Sequence, residues 1–341
     1  MAQGTGVDAT MAVLASTLNS FVQKDIAPTV YDEVLKHNPV LYRFYRKGKK
    51  IDGGASLIWP ILKQAKSFGG FYTGAMALPH GVEDTGAPAE VQWKHAAEDV
   101  TIPRTDMLKA RTPHAKVDLV KFKFDEAILN LRARISSGSY NTDPTGSSAS
   151  SGLGLDHLLM AVDDGTDFTS YAGIAHSNAF WKPGVSGLGR VSKASTAVTS
   201  LTEIESIYSE CSDGDEQPTL LIMTPKAEQF IWGQLQALQR FTRDEEMTKA
   251  GFENFKFNRA VCVTDRNLVG ASSFIASQGG VILLNENWID LVSHEEEDFA
   301  VDPIIPGTPQ ERTISTKIVW SGNWRVKILR YQGKLINASN F

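Results

Sequence analysis

The spacing of apolar residues changes period several times along the chain, and each change marks an element. The longest helical stripe carries Val117, Val120, Phe124, Ala127, Ile128, Leu131 and Ile135 at i, i+3/i+4 spacing. Thr112 supplies an N-cap, and Pro113 suits the first helical position because its missing N–H has no partner to lose there. With Gly138 as a stop, this predicts a helix over residues 113–136, roughly 36 Å long at 1.5 Å per residue. Thr224-Pro225 is a second cap-plus-proline start. It follows the buried-type run Thr219-Leu220-Leu221-Ile222-Met223, so a strand should turn directly into a helix reaching about residue 238. That helix would bury Ala227, Phe230, Ile231, Leu235 and Leu238. Shorter helices are expected at residues 155–162 and 201–211.

Period two governs the rest. Residues 56–62 are β-rich, and Pro60 within them fits an edge strand or a bulge. Val91, Trp93 and His95 alternate with polar neighbours, and Val100 and Ile102 continue the extended pattern. Between them, residues 68–89 hold five glycines and two prolines. A long β-hairpin projecting from the body is predicted, costly in conformational entropy unless a partner covers it. Short strands are expected at residues 260–264, 273–276 and 281–284. Near the end, Ile314, Thr316, Ile318 and Trp320 alternate up to Ser321-Gly322-Asn323, and Trp324, Val326, Ile328 and Arg330 alternate beyond it. This predicts a second hairpin, turning at Ser-Gly-Asn. The chain has no internal repeat of solenoid period.

Residues 1–50 read as an arm. Helical patches over 11–22 and 31–45 are separated by Ala27-Pro28, and the second carries Val34, Leu35, Leu41, Tyr42 and Tyr45. With little sequence nearby to form a core, these apolar groups are expected to pack on another subunit. Arg46, Lys47, Lys49 and Lys50 then form a basic run. It admits three readings: counter-charge for nucleic acid, a match to an acidic patch on a neighbour, or a solvated face.

Composition narrows the function classes. Of 341 residues, 42% are hydrophobic and 21% charged, as in ordinary globular proteins. Residues 1–10 lack the pattern of a signal peptide, and no run approaches the roughly 20 apolar residues of a membrane span. Cys211 and Cys262 give no disulfide framework, as expected for a reducing cytosol. The formal charge of -5 argues against a dedicated nucleic-acid binder, though it does not exclude a container for DNA, whose wall would hinder packing and release if it gripped its contents.

Catalytic patterns are lacking. The sequence contains no Walker-type loop, no G-x-S-x-G elbow, no H-E-x-x-H and no paired C-x-x-C. Gly4-x-Gly6-x-x-Ala9 has no strand before it. No two of the seven histidines stand three or four residues apart. The acidic runs 295–298 and 213–216 read as solvated, and residues 163–167 lack the alternation of a calcium loop. We expect no cofactor, no metal site and no catalytic residue. An α/β hydrolase or ligand-binding body over residues 150–299 is the alternative from another class, weakened by the plain strand-to-helix turn Met223-Thr224-Pro225-Lys226.

An arm, a projecting hairpin, a long helix, an α/β body and returning C-terminal strands form an order similar to that of the major capsid proteins of tailed bacteriophages. Encapsulins and the herpesvirus capsid floor share that fold. In local wording the resemblance is strongest from Asp156-His157-Leu158-Leu159 through Tyr171-Ala172-Gly173-Ile174-Ala175 to Trp181, then from Leu220 to Leu238, and again from Leu283 and Asn285 onward. It implies an α+β fold with an arm at 1–50, an extended loop at 51–110 and an axial domain at 150–299. The peripheral domain would comprise 111–149, containing the spine helix, and 300–341. The implied function is self-assembly as hexamers and pentamers into an icosahedral shell around double-stranded DNA, with assembly in the host cytoplasm. The nearest alternative is an encapsulin-like compartment. Implied partners are other copies of the chain, a portal protein and a decoration protein. Scaffolding would be a separate protein, or none, because the arm is short. Phe71, Tyr72, Leu78, Tyr42 and Tyr45 become the expected inter-subunit anchors, and Arg46, Lys47, Lys49 and Lys50 the DNA-facing or inter-subunit basic run. Some relatives also join a loop lysine to a neighbour's asparagine. Lys63, Lys66 or Lys94 with Asn337 or Asn340 would fill those roles here, although nothing in the sequence marks a carboxylate beside them.

Overall fold

A computed structural model describes residues 38–64, 71, 73, 74, 81–110, 112–140, 154–163, 168–183, 201–238, 254–270, 279–303, 305, 306 and 313–336. The predicted helix at 11–22, the start of the one at 31–45 and the predicted strand at 273–276 lie outside them, as do Tyr72 and Leu78.

The chain enters through helix α1 (Pro39–Lys47), whose N-cap Asn38 accepts from the amides of Val40 and Leu41 at 2.9 and 3.1 Å. Strand β1 (Lys49–Ile51) follows, then the predicted hairpin of β2 (Ser56–Leu62) and β3 (Gly86–Gln92), then β4 (Lys94–Pro103). The alternation does not pass smoothly from β3 to β4. Buried positions are odd-numbered in β3 (Ala87, Ala89, Val91) and even-numbered in β4 (Lys94, Val100, Ile102), so Trp93 is where the phase flips. A short helix α2 (Arg104–Lys109) precedes the long helix α3 (Pro113–Gly138). Thr112 caps α3 by accepting from the Ala115 amide at 3.2 Å, and the predicted stripe from Val120 to Ile135 is buried. That face lies on β4.

Two sheets organise the body. Strand β14 (Thr313–Val326) is the axis of the first. One of its edges pairs antiparallel with β4 over ten residues. The other edge takes β13 (Ile305–Pro306), β12 (Ala300–Val301) and β11 (Ile289–His294) in turn, and β1 adds parallel to β11. The second sheet runs β15 (Gly333–Ile336), β10 (Gly280–Leu284), β7 (Leu220–Met223), β9 (Ala260–Thr264), β8 (Asn254–Phe257). Its central strands are continuous apolar runs because both faces are covered. Leu220, Ile222, Val261, Val263 and Ile282 join the main core. Their alternates Leu221, Met223, Cys262, Val281 and Leu283 meet a second core made with α5 (Leu201–Glu210) and α6 (Pro225–Leu238). Between the two sheets run the short helix α4 (Leu158–Ala161) and a tight hairpin of β5 (Ser170–Tyr171) and β6 (Ile174–Ala175). Ala172 and Gly173 take φ values of 51° and 75° there, as a two-residue hairpin turn requires.

One expectation is corrected: Ser321-Gly322-Asn323 is not a turn, and β14 runs straight through it as one fourteen-residue strand. Gly322 is needed for close approach instead, since a β-carbon there would stand 2.4 Å from the Val292 carbonyl and 2.6 Å from the Trp320 ring. Asn323 is fully buried, donating to the Gln92 carbonyl and Asp156 and accepting from the Asp156 amide. β15 returns to the second sheet, while β4 and β11 belong to the first.

Candidate assembly surfaces

Among the described residues no group of three His, Cys, Asp or Glu is placed to hold a metal ion, and no helix is long and apolar enough to cross a membrane. What could act chemically is largely engaged within the chain. Asp265, buried at the end of β9, accepts from Asn38 at 3.1 Å, from the Tyr140 hydroxyl at 3.0 Å and from Asn267. This joins α1, the end of α3 and the second sheet, and burial together with the Asp265 charge pushes the Tyr140 hydroxyl well above its ordinary range. Lys334 and Asp163 form a fully buried ion pair between β15 and the segment after α4. The Cys262 thiol is also pushed up by burial, so it is no nucleophile at neutral pH.

The expected anchors and basic run fall in different environments. Tyr45 is turned into its own chain. Its ring packs 5.9 Å from Phe299, its hydroxyl donates to Asp298, and the residue is buried within its own chain. Tyr42 is half-buried against the same core. Phe71, in contrast, is fully exposed. Arg46 and Lys49 are exposed. Lys47 lies 3.5 Å from Glu286, and Lys50 lies 2.7 Å from Asp298. Part of the basic run therefore pairs with acids of the same chain. Glu286 is the centre of this latch: Arg43 grips it with two nitrogens, and Thr219 donates at 2.9 Å. Burial alone would raise the Glu286 carboxyl, but Arg43, Lys47 and Thr219 hold it below the ordinary carboxylate range. Sequence reasoning missed this partner because Glu286 lies 243 residues from Arg43. Lys63, one of the lysines considered for a crosslink, pairs at 2.8 Å with Asp84 just beyond the loop end of the paired strands, and Lys94 is buried. Lys66, Asn337 and Asn340 lie outside the described residues.

The β2–β3 hairpin is covered on one face and open on the other. Leu57, Trp59, Ile61, Ala87, Ala89 and Val91 are buried, so its base rests on its own body rather than projecting bare. Ile58 and Leu62, on the opposite face, are 62% and 70% exposed. On the long helix, Phe122 and Leu129 are 64% and 53% exposed on the side away from β4. Singly exposed apolar residues need no explanation, but these are large, paired and confined to two elements.

At the sequence level no protein-family model and no curated protein matches the chain. Solved structures do. The capsid of cyanophage A-1(L) superposes with a TM-score of 0.62 at 12% identity, over 89% of this chain and 93% of that one. The encapsulin of the holo-SrpI complex from Synechococcus elongatus PCC 7942 matches at 0.53 and 11%, over 86% of each chain. The capsid of a native GTA particle matches at 0.53 and 8%, over 86% and 89%. The chain thus has the mixed α and β fold of phage capsid proteins, a fold that an encapsulin shares.

Proposed function

We propose that this chain is the major capsid subunit of a tailed bacteriophage. Its copies would assemble as hexamers and pentamers into an icosahedral shell around double-stranded DNA, in the host cytoplasm and without a membrane. Phe71 and the open faces of the hairpin and long helix would meet neighbouring copies. The portal, a separate scaffolding protein and a decoration protein are the further partners, and no reaction is catalysed. The observation that carries the reading is the match to the cyanophage A-1(L) capsid over nearly the whole of both chains. The net charge of -5 agrees with a wall that holds DNA without gripping it. A hydrolase reading finds no support at the turn after β7. Thr224 is buried there, and its hydroxyl accepts from the amides of Ala227 and Gly280.

A second reading, an encapsulin-like compartment, is favoured by the likeness to the Synechococcus elongatus encapsulin. One experiment addresses both. The chain is expressed alone and imaged by negative-stain electron microscopy, and any particles are analysed for contents. Closed shells, or hexamer and pentamer rings, support the shell-forming reading. A captured enzyme inside them would favour the compartment. A chain that stays monomeric alone and with a scaffolding partner contradicts both.

A further inference from the structure

Lys334 stands on the edge strand β15 opposite Ile282 of β10, so its side chain shares the face that Ile282 turns into the main core. Leu335, one residue on, points the other way into the second core. A lysine ordinarily carries its ammonium out to water on its aliphatic stem. Here the side chain is 1% exposed, and its nitrogen ends on the carboxyl of Asp163, which is 0% exposed. Val162 and Leu158, just before Asp163, are fully buried as well. The two partners are 171 positions apart in sequence.

The two oxygens of Asp163 have different partners. Lys334 Nζ donates to Oδ1, while the Phe168 amide donates to Oδ2 at 2.9 Å. Phe168 is itself fixed by two buried histidines. His176 Nδ1 lies 3.0 Å from its carbonyl, and the His157 ring meets its ring edge-on at 5.0 Å. A nitrogen nucleophile thus faces one oxygen of a carboxyl group, and a positioned N–H holds the other. Passing one proton from the ammonium to Oδ1 leaves an amine against a carboxylic acid and no charge in the core. Holding the two groups in contact replaces an encounter in solution, and burial keeps out the water that would reverse a condensation.

We infer that Lys334 and Asp163 are a self-modification site, joined within the folded chain by an isopeptide bond. The amine lone pair forms a bond to Cγ of Asp163, and the bond from Cγ to Oδ1 breaks. Oδ1 leaves as water, carrying the acid's proton and one from the nitrogen. Negative charge develops on Oδ2, where the Phe168 amide receives it. Nothing is oxidised or reduced, and each chain reacts once, without turnover. The bond ties the edge strand β15 to the segment following α4, so the five-stranded sheet cannot be peeled apart from that edge. It is made inside one chain and stands independently of the shell-forming reading.

Mass spectrometry of the purified wild-type chain, denatured after folding, tests it. The chain should be lighter than its sequence by one water, about 18 Da. Trypsin should release a branched peptide holding both Asp163 and Lys334, and should not cut after position 334. Lys334→Arg keeps the positive charge but offers no amine, so that variant should show the full sequence mass and be cut after position 334. A wild type at full sequence mass overturns the bond and leaves a buried ion pair only. A deficit of one water carried by linear peptides, as a succinimide at Asp164-Gly165 would give, overturns it equally. The wild-type result decides even if the Arg variant fails to fold. Shells built from unmodified chain would defeat the bond alone, and a modified chain that never assembles would defeat the shell-forming reading alone.

Discussion

The five-stranded sheet and the β2–β3 hairpin are both built from apolar strands, continuous runs in one and alternation in the other, and they finish differently. In the sheet every described residue of β7 and β10 is buried, and the strand-to-helix turn is closed by Thr224. In the hairpin one face is covered and the other presents Ile58 and Leu62 to solvent. The central strands of the sheet are covered within one chain, whereas the hairpin leaves one face open. Fully burying a side chain of this size contributes about 1.5–3 kcal/mol, and Ile58 and Leu62 are already partly covered, so covering them yields ~2–4 kcal/mol. Association costs about 4–15 kcal/mol, so this face alone makes a marginal contact.

Substitutions inside and outside the covered region should separate these roles. The largest loss is expected at Trp324, which is fully buried and packs edge-on 5.1 Å from Phe44. Trp324→Ala should cost about 3–5 kcal/mol in urea unfolding. Glu286→Gln should cost ~3 kcal/mol, because Arg43 would lose its partner in a mostly buried site. The pH dependence gives this its sign. A carboxyl held low in the folded chain contributes stability that is fully present above its unfolded value of about 4.3 and is lost as pH falls through the lower folded value. The wild type should therefore lose stability across that acid window more steeply than the Gln variant. Gly322→Ala, which forces a β-carbon onto the Val292 carbonyl and the Trp320 ring, should cost about 2 kcal/mol. Ile58→Asp should change unfolding by less than about 0.5 kcal/mol, since it alters only solvated surface. If it destabilised the chain as much as Gly322→Ala, the hairpin face would not be free and the contrast would fail.

Much of this was legible in the sequence. The long helix was readable because its cap, its proline and its stripe agree, and the strand-to-helix unit at Thr224-Pro225 for the same reason. β14 was misread because Ser-Gly-Asn is turn chemistry by composition. The signal against a turn was present, however: Ile314, Ile318, Trp320, Trp324 and Val326 all keep even phase across it, as one strand must. The packing of Tyr45 was hidden for a different reason. The arm looks short of a core locally, but its core comes from Phe299, and Glu286 pins the same helix. Contacts across some 250 residues leave no trace in spacing. The open face was half visible: the pattern predicted the hairpin, but only the structure shows which of its faces is covered.

Hydrogen–deuterium exchange on assembled and unassembled chain tests the central contrast most directly. Assembly should slow exchange in residues 56–62 and 113–138 and leave β7 and β10 as they were. Equal exchange in those two regions before and after assembly would contradict it.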